Sequence, residues 1–203
     1  MLRYDRTPGF HRGQVSFDRR KGLMNYYAAK ELADSFRTVR KNTLIIARDL
    51  PQEKYAFRAA PEARSVGELL AHIALSPNFQ YQVHAIERRT TLEGFDFPSL
   101  LKRLAAEEKE SRSKEQILEM LHSSKEEWAG WMQGLTDDFL AEQVQMPAGT
   151  TPSTKTRFEM ILSVKEHEMH HRGQLMLIER LLGIVPHMTR EMQVRLAAAA
   201  TKR

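Results

Sequence analysis

Residues 156–186 read TRFEMILSVKEHEMHHRGQLMLIERLLGIVP. Ile161, Val164, Glu168, His171, Leu175, Ile178 and Leu182 recur at alternating spacings of three and four. That period predicts one long helix over roughly 154–182 with a single buried stripe. Thr156 and Glu159 stand where a capping box opens a helix. Gly183 stands where a left-handed residue closes one, with Pro186 just beyond. Two members of the stripe, Glu168 and His171, are polar. At about 100° per residue, His171 lies roughly 20° from the stripe centre, Glu168 roughly 40°, His167 roughly 60° and His170 roughly 120°. His167 and His171 therefore point inward together, one turn apart, and His170 points to the flank.

The rest of the chain repeats the pattern. Segment 24–50 carries Leu32, Phe36, Val39, Thr43, Ile46 and Leu50. Segment 65–89 opens on the Ser65–Glu68 capping box, and its stripe of Leu69, Ile73, Ser76, Gln80 and Val83 turns polar; Pro77 should kink it. His72 and His84 lie on opposite borders of that stripe. Residues 98–112 read as a short helix, and 113–134 as a long one with Ile117, Leu121, Ser124, Trp128 and Trp131 inward. Gln143 to Met146 alternates like a strand but is too short to found a sheet. The fold class expected is all-α: an antiparallel four-helix bundle with a short extra helix over 24–186, a leader at 1–23, and a tail at 187–203 in which Ala197–Ala200 suggest a frayed terminal helix.

Composition narrows the chemistry. The chain has 203 residues and no cysteine, which excludes disulfides, Cys-ligated zinc, iron–sulfur clusters and a thiol nucleophile of its own. No apolar run approaches a membrane span, so the expected compartment is the cytoplasm. The net charge of +5 is concentrated in residues 1–23, where six basic and two acidic side chains leave a nearly neutral body. That distribution argues against a nucleic-acid surface. Met24 opens the first periodic segment and fits an internal start.

Two imidazoles at i, i+4 can share one metal ion, and a third His from a facing helix would leave positions open for water or substrate. The competing reading is neutral core histidines. His167-Glu168-Met169-His170-His171 also matches the H-E-x-x-H pattern of zinc peptidases, with Glu168 as general base and Glu191 as a downstream ligand. Such enzymes bind substrate along a sheet edge, and this chain offers little strand. Glu168 is otherwise a candidate proton acceptor, a partner orienting a ligand imidazole, or a core-edge carboxylate paired with a neighbour such as Arg172. Ser76 and Gln80 are candidates to line the pocket or to bond across the bundle. Trp128, Trp131, Met120 and Met132 read as core. Gly173 inside a helix suggests a close helix–helix approach.

The stretch HEMHHRGQL at 167–175, with LLGIVP at 181–186 and LLAHIA at 69–74, resembles the DinB/YfiT-like superfamily. The resemblance covers about residues 24–186. It implies up-down-down-up connectivity, a homodimer, and a divalent metal, zinc or nickel, held by His72, His167 and His171. His170 matches an extra histidine that is not a usual ligand. Members include thiol-dependent S-transferases and isomerases, and metal-dependent hydrolases. The expectation is a metal-dependent enzyme acting on a small molecule. Lacking cysteine, it would draw on an external low-molecular-weight thiol. The alternative is a non-catalytic metal- or ligand-binding dimer.

Overall fold

The computed structural model describes residues 27–201, so the leader at 1–23 and Met24 lie outside the described residues. The described chain is mostly helical, with α1 Ala29–Asp49, α2 Val66–Leu75, α3 Pro77–Tyr81, α4 Phe97–Glu108, α5 Lys114–Gln133, α6 Asp137–Ala141, α7 Arg157–Leu181 and α8 His187–Ala200. The predicted start signals do the work expected of them. Ser65 Oγ accepts from the Glu68 amide at 3.2 Å while the Ser65 amide donates to the Glu68 carboxylate at 2.8 Å. The same reciprocal pair is made by Ser113 with Gln116 and by Thr156 with Glu159. Each satisfies helix-end amides that would otherwise lack partners. At the far end of α7, Gly183 adopts φ +76°, and the Ile184 amide reaches back to the Glu179 carbonyl at 2.8 Å.

The apolar stripes meet in two stacked clusters. One joins Ile46, Ala47 and Leu50 of the α1 end to Leu70 and Ile73 of α2, Leu121 of α5, and Leu175 and Ile178 of α7. The other joins Leu32 and Phe36 to Trp128, Met132, Ile161 and Val164. Trp128 is 2% exposed and stacks on Trp131 with centroids 4.9 Å apart, so these aromatics are packing residues. α1 packs on α5 and α7, and α2 packs on the same two helices. α4 lies against α2 through Leu75, Leu100 and Leu104, which brings its C-terminal end beside His72.

Three expectations need correction. Gln143–Gln145 does pair, antiparallel, with Thr154–Thr156; these strands, β1 and β2, form a small two-stranded sheet with Val144 buried against Val83 and Met160. A strand too short to stand alone is held by that packing and by β-branched Thr154 and Thr156 opposite it. The last long helix accordingly begins at Arg157, not 154. The second segment breaks at Pro77, where the kink is expected, into α2 and α3, but it does not continue as an α-helix to 89: Gln82–Ile86 widens into a π-turn. Lastly, a Cβ placed on Gly173 would meet nothing within 4 Å, so no helix approaches closely there.

Candidate metal centre

His72 projects from α2, and His167 and His171 from adjacent turns of α7. His171 is buried and the other two are half-buried. The Nε2 atom of His167 lies 3.1 Å from that of His72 and 3.0 Å from that of His171. Among the described residues this is the group of histidine and carboxylate side chains whose ligand atoms gather closely enough for one ion. Hydrogen bonding alone does not explain the arrangement. The Nδ1 of His72 faces Glu108 Oε1, and the Nδ1 of His171 faces Gln174 Oε1 at 2.8 Å. Both oxygens accept, so both Nδ1 atoms carry the proton and both Nε2 atoms present bare lone pairs. The single Nε2 site of His167 can answer one of them at most. The three ligand nitrogens lie within 4.8 Å of one another, the spacing of ligands that each sit about 2.0–2.1 Å from a shared zinc-like ion. The residues present fit such a group.

Electrostatics keep the two α7 ligands, His167 and His171, in the state that binding requires. Burial, then the neighbouring His171 and His72, push the His167 pKa down to about 4. Burial also lowers that of His171, against the pull of Gln174. Neutral imidazole is the metal-binding form. His167 Nδ1 is buried with no hydrogen-bond partner among the described residues, so the protein leaves its tautomer to whatever its Nε2 binds.

Other candidates fall elsewhere. Glu168 is 0% exposed and turned toward α1: Arg40 Nε donates to both its oxygens at 2.9 Å, and Thr43 Oγ1 donates to Oε1 at 2.7 Å. Its partner is thus Arg40 and not Arg172. Ser76 Oγ bonds the Ile73 carbonyl, and Gln80 accepts from His84 Nε2 at 2.9 Å. His84 is buried and neutral, its pKa pushed down to about 3 by burial and by Arg157, whose Nη1 donates to His84 Nδ1. His170 is exposed and meets the Gln174 amide nitrogen at 3.3 Å.

Glu108 was missed in the sequence. It sits in an acidic run, Glu107-Glu108-Lys109-Glu110, that reads as solvated surface, yet it is 8% exposed and bridges His72 to Arg64 Nε at 2.9 Å. A cavity of about 760 Å³ opens beside it, walled also by Arg64, His171, Gln174 and Leu177.

Among known protein families, the DinB superfamily matches the chain over residues 35–175. A DinB-like protein of Bacillus subtilis, YjoA, has a similar crystal structure: TM-score 0.55 at 18% identity, over 75% of this chain and 92% of that one. No curated protein matches the sequence.

Proposed function

This chain belongs to the DinB superfamily, and we propose that it holds one divalent ion, zinc or nickel, on His72, His167 and His171 and uses it as a metal-dependent transferase or hydrolase. The observation that carries the reading is that the Nε2 atoms of His72 and His171 lie 3.1 and 3.0 Å from that of His167, with the Nδ1 protons of His72 and His171 already engaged by Glu108 and Gln174. An ion there would supply Lewis acidity, lowering the pKa of a bound water or thiol. Glu108 and Gln174 fix the ring planes of His72 and His171. The cavity beside His171 admits a small molecule to the open side.

Between the two reaction types, thiol transfer with an external low-molecular-weight thiol fits better. Hydrolysis in the peptidase manner would use a free carboxylate beside the ion to take a proton from water. Glu168 has both oxygens committed to Arg40 and Thr43, and Glu108 is shared between His72 and Arg64. The same commitment of Glu168 counts against the peptidase reading, which needs it as the base. We also read the four long helical segments as the antiparallel up-down-down-up bundle. The packing of α1 and α2 on the same two helices, α5 and α7, supports this. The described residues include no helix long and apolar enough to cross a membrane, and the cytoplasm is the compartment proposed.

Metal analysis of purified variants tests the site. His171→Ala should lose stoichiometric metal with most helicity intact, and His170→Ala should keep it. The opposite pattern would sink the assignment. Thiol consumed in step with substrate identifies the transferase; turnover without thiol consumption identifies the hydrolase. A loaded protein with no turnover leaves the non-catalytic dimer.

A further inference from the structure

The charges on the cavity wall are unequally engaged. Arg58 gives Nη2 to Glu68 and Nη1 to the Ala63 carbonyl, each at 2.6 Å. Arg64 gives only Nε, to Glu108 Oε2 at 2.9 Å, and its Nη1 and Nη2 make no hydrogen bond among the described residues. Arg64 and His171 line the same cavity. The wall behind it is apolar, with Leu69, Ala105, Leu177 and Ile178.

We propose that this cavity binds a small organic carboxylate with an apolar body, gripped by the free Nη1 and Nη2 of Arg64, and that Arg64 selects it over neutral analogues. The planar guanidinium fork matches a carboxylate through two parallel bonds. Its Nε tether to Glu108 fixes the plane of the fork without occupying its outer donors. The apolar wall takes the body of the ligand, the usual division of labour in a small-molecule site. A monoanion is preferred to a phosphate dianion because Glu62, Glu68 and Glu108 balance Arg58, Arg64 and Lys109 on the wall, which leaves no surplus cation for a second negative charge. The inference rests on the metal reading only for where the ligand's other end lies.

Isothermal titration of the full chain, supplied with zinc, compares 3-phenylpropanoate with its neutral amide. The acid should bind about tenfold more tightly. Arg64→Gln should bring the ratio close to one with zinc content unchanged, and Arg64→Lys should keep part of it. An equal ratio in the parent, or a preference that survives Arg64→Gln, overturns the proposal. So does a preference lost only together with zinc, which would assign selectivity to the ion, or tighter binding of phenyl phosphate than of the acid. A chain that takes up no zinc defeats the metal reading alone, and the acid-to-amide ratio on the same protein still decides the role of Arg64.

Discussion

Arg40 stands four residues after Phe36 on the buried face of α1 and is 0% exposed. Its Nη1 donates to the Leu121 carbonyl and to Ser124, its Nη2 to the Ile73 carbonyl at 3.1 Å, and its Nε to Glu168. The Ile73 carbonyl is available because Pro77, four residues on, has no N–H to give it. The proline kink, the buried arginine and Glu168 thus form one device tying α1, α2, α5 and α7 together. Removing one partner of such a pair leaves an uncompensated buried charge. At the site itself, Glu108→Ala should weaken zinc binding by about 10–100-fold while leaving the helical spectrum unchanged. Equilibrium dialysis against zinc checks this, and an unchanged affinity would remove Glu108 from the centre. Gly173→Ala should stabilise the protein by up to about 1 kcal/mol, since the position is exposed, helical and unobstructed. A lower melting temperature would contradict the open surroundings described.

The last helix carries a tension of its own. Glu179, on the final turn of α7, is 0% exposed, and neither carboxylate oxygen has a hydrogen-bond partner among the described residues. Burial, then the charge of Asp49, pushes its pKa up to about 7. α8 closes over this corner: His187 is buried, and Arg190 pairs with Asp49. Because the folded pKa lies above the unfolded value, the folded state binds the extra proton between about pH 4.5 and 7. Stability should therefore fall as pH rises through that window. Glu179→Gln should flatten the decline and gain about 1–3 kcal/mol over the parent at pH 8. Denaturant melts at pH 5 and pH 8 measure it; a constant difference between the two proteins would mean that Glu179 does not titrate on unfolding.

The molecule as a whole exposes a long apolar face along α7 and α8. Leu181, Val185, Met188 and Met192 are between 42% and 59% exposed, and Leu196 is 63% exposed. Large apolar side chains left exposed in such number along neighbouring helices mark an interaction site. Taken with the homodimer implied by the family resemblance, the face is proposed as the contact between two copies. Light scattering should give about twice the chain mass, and Met192→Glu should reduce it to one chain. A parent protein that is monomeric at all concentrations would end that reading.

Local signals made the helices legible. Capping boxes at Ser65, Ser113 and Thr156, the glycine and proline after α7, and the three–four spacing of the stripes all act within a few residues. They determine where elements begin and which side is apolar. They also placed His167 and His171 on one inward face, because that depends only on the pitch of a helix. What they could not reach is partnership between residues far apart in the chain. Glu168 stood between a proton acceptor and a partner of nearby Arg172, because its actual partner, Arg40, lies 128 residues away. Nothing local marks Glu108, because its partner His72 is 36 residues away. The β-ribbon was missed because three-residue strands exist only through the pairing that holds them. Periodicity along a chain decides which face turns inward; only the packing of helices against one another decides what that face meets, since the energy of a buried charge or lone pair depends on neighbours the local sequence does not contain.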